Sequence, residues 1–77
     1  MTEIDRYVAN EIRVRRLLAG ATMEKVALAC NTDWKQVACW ESGAVPVGAT
    51  DIFNIAHCLG VCSSVFFPPR IDDPAAA

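Results

Sequence analysis

The sequence predicts an all-α domain of five short helices, and three observations carry that prediction. Apolar residues recur at three- and four-residue spacings through most of the chain. Glycine or proline follows most of these runs, at Gly20, Gly43, Pro46, Gly48 and Gly60, where helices stop. No stretch alternates apolar and polar residues as a half-buried strand would, and no segment repeats. At 77 residues the chain fits one domain. A domain of this size buries only about 60% of the surface its unfolded chain exposes.

The first helix is expected from Ile4 to Leu18, where Ile4, Val8, Ile12 and Leu18 stand among Arg and Glu, and Gly20 ends it. Thr22 is a cap for a second helix, "MEKVALAC", with Val26, Ala27 and Cys30 on one face. Asn31 and Thr32 supply a tight turn. Asp33 followed three positions later by Gln36 has the form of a capping box, so a third helix runs to about Ser42 and stops at Gly43. "AVPVG" is a loop because Pro46 and Gly48 oppose regular structure. Ile52, Ile55, Ala56 and Leu59 place a fourth helix from Thr50 to Leu59, ended by Gly60. "CSSVFF" supplies a fifth, one-turn element, and "PPRIDDPAAA" reads as a frayed tail. The expected division is a domain over residues 1–67 and a disordered tail over 68–77. Its core is expected to hold Val8, Ile12, Val26, Ala27, Cys30, Val37, Trp40, Ile52, Ile55, Ala56, Leu59 and Phe66.

With 53% hydrophobic and 21% charged residues and a mean hydropathy of +0.26, the composition is that of a packed globule. The formal net charge is −2 and the pI about 5.1, so there is no general attraction to a polyanion. Residues 1–20 hold Arg6, Arg13, Arg15 and Arg16 against Glu3, Asp5 and Glu11; residues 21–60 hold only Lys25 and Lys35 against Glu24, Asp33, Glu41 and Asp51. The middle of the chain is its acidic part. No apolar run approaches the roughly 18 residues of a membrane span, and "MTEIDRYVANE" is too charged for a signal peptide, which points to the cytoplasm. In that compartment Cys30, Cys39, Cys58 and Cys62 are expected to be reduced thiols acting as small hydrophobes.

"IRVRRLLAG", "TMEKVALAC", "QVACWESG", "VGATDIFNIAHCLGV" and the closing "VFF" together resemble the Cro/C1-type (XRE) helix-turn-helix family over about residues 8–67. The resemblance implies a compact λ-repressor-like domain. It implies a third helix that enters the major groove and reads bases through Trp34, Lys35, Gln36 and Cys39. Phosphate contacts would come from Thr22, Met23, Ser42 and the segment from Val45 to Asp51.

The chain departs from that pattern on the DNA side. The family usually carries Gln at the position of Met23, and relatives with the "VGA" loop tend to carry Lys or Arg where Cys39, Ser42, Pro46 and Asp51 stand. Phosphate contacts supply most nonspecific affinity, so a helix-turn-helix with few cations is expected to bind DNA poorly. Met23, Ala38 and Cys39 also lack the bidentate hydrogen bonds that discriminate bases. Trp34, Ala38 and Cys39 instead share a side, flanked by Lys35, with the composition of a protein-interface anchor. The surface expected to bind a protein partner comprises Met23, Trp34, Lys35, Ala38, Cys39 and Ser42.

A DNA-reading scaffold without its DNA face is similar to the small antiactivators of mesorhizobial integrative and conjugative elements. That likeness implies two protein partners, a quorum-sensing activator of the LuxR type (TraR-like) and an excision activator (FseA-like). The competing expectation is a homodimeric repressor. It would read DNA through Lys35 and Gln36, with Thr22, Arg13, Arg16 and Arg6 on phosphate, and its weak dimer contact would involve Val65 and Phe67. A third is an antitoxin-like subunit that pairs with a DNA-binding relative.

Each candidate has a plainer reading. Trp34 can lie against the end of the second helix and close the small core. Trp40 is read as core. Arg13 to Arg16 spread around a helix and can pair with acidic neighbours, yet they form the one positive cluster in the sequence. His57, Cys58 and Cys62 have metal-like composition, but adjacent residues point to different sides of a helix and no fourth ligand is evident, so no metal or other cofactor is expected. One His and no evident oriented base argue against cysteine catalysis, and the chain is expected not to be an enzyme.

Overall fold

The computed structural model describes residues 3–68, which form four α-helices and a closing 3₁₀ turn: α1 Glu3–Leu18, α2 Met23–Ala29, α3 Trp34–Ser42, α4 Ala49–Leu59, and the turn Ser63–Phe66. The expected tail lies outside the described residues, apart from Pro68. The expected fifth helix is corrected to that single turn. Only Ser63–Phe66 of the seven residues between Gly60 and Pro68 are helical, and Phe67, which precedes proline, is already extended (φ −112°, ψ 142°), so the turn stops there.

All four helices close in the same way. The N–H that follows a left-handed residue bonds the carbonyl five residues back, at Ala21 to Arg16 (3.0 Å), Thr32 to Ala27 (2.9 Å), Ala44 to Cys39 (3.0 Å) and Val61 to Ala56 (3.0 Å). The left-handed residue is a glycine in α1, α3 and α4. In α2 that residue is Asn31, at φ 56°, the one non-glycine with positive φ among the described residues; Asn tolerates this region through its short polar side chain. The N-termini of α2 and α3 are capped as expected, with Thr22 Oγ1 accepting from Lys25 N (3.1 Å) and Asp33 Oδ1 from Gln36 N (3.0 Å).

The core joins Val8 and Ile12 of α1, Val26 and Ala27 of α2, Val37 and Trp40 of α3, Ile52, Ile55 and Ala56 of α4, and Phe66 of the 3₁₀ turn. Cys30 and Leu59, expected inside, are half-buried against it. Ile4 and Leu18, apolar markers of the first helix that the expected core left out, are both exposed. Leu18 lies six residues past Ile12, about 240° around the helix, and Ile4 sits in the first turn beyond the packed region. The residue that continues the buried stripe, four past Ile12, is Arg16.

Arg16 is buried, which its place in a basic run did not suggest. Its Nε and Nη2 donate to Glu41 Oε2 (2.6 Å) and Oε1 (2.9 Å) on α3, and its Nη1 donates to the Ala21 carbonyl (3.0 Å). The two side chains retain 11% and 4% of their exposure. The hydrogen bond to Glu41 raises the Arg16 pKa, against the opposing effect of burial. Arg15, by contrast, makes a surface pair with Glu11 one turn back, at 3.2 Å.

Between α2 and α4 the thiols of Cys30 and Cys58 point to the Asp51 and Lys25 carbonyls, at 3.8 and 4.0 Å. Burial, reinforced by Asp51 and Cys58, pushes the Cys30 thiol up to about 11. At the far end Cys62 is exposed, and the Ser64 hydroxyl donates to its sulfur (3.2 Å), which lowers its pKa.

Two outcomes follow. Arg16→Ala and Glu41→Ala each strand a buried charge and are expected to lose about 3–5 kcal/mol in urea unfolding. Against a total of roughly 4–12 kcal/mol for a chain this long, that is a large share. Arg15→Ala should lose under about 1 kcal/mol; equal losses at positions 15 and 16 would show that the fork is not what ties the helices. In iodoacetamide labelling at about pH 8, Cys62 should react well before Cys30, whose thiolate fraction would be roughly one in a thousand. Peptide mass spectrometry reads the order, and faster labelling of Cys30 would contradict its burial between α2 and α4.

Candidate functional site

The candidate surface is set by the pair α2–α3 and the turn between them. Glu41 points inward to Arg16, so residues about half a turn around α3 must point outward. Lys35, Cys39 and Ser42, at spacings of four and three, form that outer ridge, and all three are exposed. Ser42 Oγ donates to the Cys39 carbonyl (3.0 Å) and accepts from Ala44 N (3.4 Å), so its hydroxyl is already engaged with the end of its own helix. Trp34 and Ala38 make the adjoining ridge, with Ala38 half-buried.

Trp34 is 48% exposed and Trp40 is 4% exposed. Trp34 therefore does not close the core, a role that falls to Trp40 with Val37. The first residue of α3 leaves a large indole surface in water beside Lys35.

The remaining expected site residues separate into two groups. Thr22 and Arg13 are exposed, and the Thr22 hydroxyl also serves as the α2 cap. Met23 is half-buried against the core and offers the surface only part of its side chain; Gln36 is half-buried too. Arg16 is corrected: held by Glu41 and the Ala21 carbonyl, its guanidinium is not free for a phosphate. Of the residues expected at a dimer contact, Phe67 is exposed while Val65 packs against the core. His57 is exposed and Cys58 turns toward α2, so these neighbours do diverge.

On α2 and α4, two exposed apolar side chains were absent from the expected site. Leu28 on α2 is 83% exposed, and Phe53 on α4 is also exposed. Both lie one residue off the buried stripe of their helix, which is the signal that would have marked them. The charges around the α2–α3 surface are mixed. Glu24, Lys25, Asp33 and Lys35 are exposed and Asp51 is half-buried, leaving no cationic excess.

No family model matches the chain. The solved structure of a hypothetical transcription factor from Neisseria superposes with a TM-score of 0.77 over 87% of this chain and 77% of that one, at 24% identity. The fold is a helix-turn-helix. Two curated proteins, each called an uncharacterized HTH-type transcriptional regulator, one from Sinorhizobium medicae and one from Rhizobium meliloti, are 36% identical to this helix-turn-helix chain over 64 residues. Those residues are 83% of this chain and 46% of each relative, so the chain spans about half the length of the curated relatives it matches.

The two tryptophans can be told apart in solution. Iodide or acrylamide is expected to quench one emission component strongly and the other weakly, and Trp34→Phe should remove the quenchable one. Two equally shielded components would return Trp34 to the core.

Proposed function

We propose that the chain is a transcriptional antiactivator of the kind represented by QseM of mesorhizobial integrative and conjugative elements. It would act by sequestering activators, a TraR-like quorum-sensing regulator and an FseA-like excision activator, on the outer face of α2 and α3. The observation that carries this reading is the half-exposed Trp34 at the first position of α3, beside Lys35, Ala38 and Cys39. Tryptophan is enriched among interface hot spots, and such anchors are bordered by small, weakly charged neighbours. Binding would occlude the activator without chemistry. The charges support the same reading, because Lys25 and Lys35 are offset by Glu24, Asp33 and Asp51 on the surface that would face phosphate.

A homodimeric DNA-binding repressor is the second reading, favoured by the name that the curated relatives carry. With Arg16 buried, its phosphate contacts would come from Arg6, Arg13 and Thr22, with Lys35 and Gln36 toward the bases.

One pair of measurements separates the two. Titration against fluorescent duplexes, random and promoter-derived, at about 50 mM salt gives phosphate contacts their best chance. The antiactivator reading expects no promoter preference, together with retention of an activator in pull-down that Trp34→Ala abolishes while the circular dichroism spectrum is unchanged. Promoter-selective binding that weakens steeply with salt would establish the repressor instead, and activator capture unaffected by Trp34→Ala would remove the anchor.

A further inference from the structure

The four arginines of α1 have divided roles. Arg15 is paired with Glu11 and Arg16 with Glu41. Arg6 and Arg13 are both exposed, and neither forms an ion pair among the described residues. They stand seven residues apart, with Asn10 between them and Leu17 four residues beyond, so all four share one ridge of the helix. Asn10 and Leu17 are exposed as well, and Leu18 beside Leu17 is exposed. The ridge reads guanidinium, amide, guanidinium, then leucine, with the two guanidinium groups separated by a rise of about 10.5 Å along the axis. Glu3 is exposed one turn before Arg6 and marks its N-terminal limit.

We propose that this ridge is a second docking face, which takes an acidic helical segment of a partner protein. Two carboxylates seven residues apart on a facing helix have the same rise as Arg6 and Arg13, and each can accept two hydrogen bonds from a guanidinium fork. Asn10 supplies further donors and an acceptor between them. Leu17 and Leu18 give the ridge an apolar end that a leucine on the segment would cover. A phosphate backbone has no use for that end, and the net charge of −2 opposes approach of a polyanion more than that of a segment with two carboxylates. The face lies on α1, away from the α3 residues of the antiactivator reading, and does not depend on them.

The test uses the full chain and a fluorescein-labelled amphipathic peptide with glutamates seven residues apart and a leucine four residues past the second. A counterpart has glutamine at both positions. In anisotropy at about 50 mM salt the glutamate peptide should bind saturably and the glutamine peptide at least about tenfold more weakly. Arg6→Glu with Arg13→Glu should lower affinity by a similar factor with an unchanged circular dichroism spectrum, whereas Trp34→Ala should leave it unaltered. Equal binding of the two peptides, full affinity in the charge-reversed variant, or no binding of the glutamate peptide would each overturn the proposal. So would tighter binding of a labelled duplex DNA lost on the same double substitution, which would make the ridge a nucleic-acid contact.

Discussion

The bidentate contact between Arg16 and Glu41 is the constraint on which the arrangement of the helices rests. It joins residues 25 positions apart, and the third donor of the same guanidinium holds the Ala21 carbonyl in the link between α1 and α2. One side chain thus fixes the end of α1, the entry to α2 and the far end of α3. A leucine at position 16 would fill the same stripe by apolar contact, which sets distance but not direction. A planar fork closing on a carboxylate sets both. Net stabilisation by a buried pair is small once desolvation is counted, so its contribution is better placed in the orientation of α3 than in total stability. Because Glu41 must face α1, Cys39 and Lys35 must face away. The outward ridge of α3 is a consequence of this contact.

The same pairing decides which charges can act on a partner. Counted along the sequence, residues 1–20 hold four arginines, but two are engaged by carboxylates of the chain itself, Arg15 at the surface by Glu11 and Arg16 in the interior by Glu41. Among the described residues, the cations left unpaired on the surface are Arg6 and Arg13 on α1, Lys25 on α2 and Lys35 on α3. A run such as "RVRR" therefore describes the molecule's surface charge poorly. Arg13 looks outward, Arg15 lies on the flank and Arg16 goes to the core, as a helix turning 100° per residue requires.

The sequence foretold most of the core because α2, α3 and α4 are short. Over two or three turns the three- and four-residue spacings of Val26 and Cys30, Val37 and Trp40, or Ile52, Ile55, Ala56 and Leu59 pick out one face without drift. The caps were legible for a local reason, since Thr22, Asp33, Gly43 and Gly60 satisfy backbone groups within a few residues of themselves. Helix α1 is less legible. The stripe of Val8 and Ile12 continues not into an apolar residue but into the charged Arg16, while Leu18 lies off the buried face. Nothing local to Arg16 shows that its partner lies on α3. The exposure of Trp34 had the same obstacle, because the first residue of a helix can turn to either side until the packing of that helix is fixed. Leu28 and Phe53 were recoverable from their offset alone.

Magnitudes separate the two uses of the α3 surface. DNA affinity rises with the number of phosphates neutralised, and a protein making six to ten such contacts has a salt slope near −0.9 for each. Among the described residues, four unpaired exposed cations offer about four such contacts per copy, and the carboxylates of Glu24, Asp33 and Asp51 work against two of them. A dimer would double the count, yet Trp34 and Cys39, exposed on α3 of each copy, lack the bidentate hydrogen bonds that discriminate bases. Burying the exposed part of an indole in a protein pocket returns on the order of 1–2 kcal/mol at one position, with little dependence on salt. An interface built around Trp34 uses the largest apolar side chain that α3 leaves in water, whereas a DNA interface leaves that surface without a matching partner. These terms are the physical ground of the proposal that a protein, rather than DNA, covers the outer face of α3.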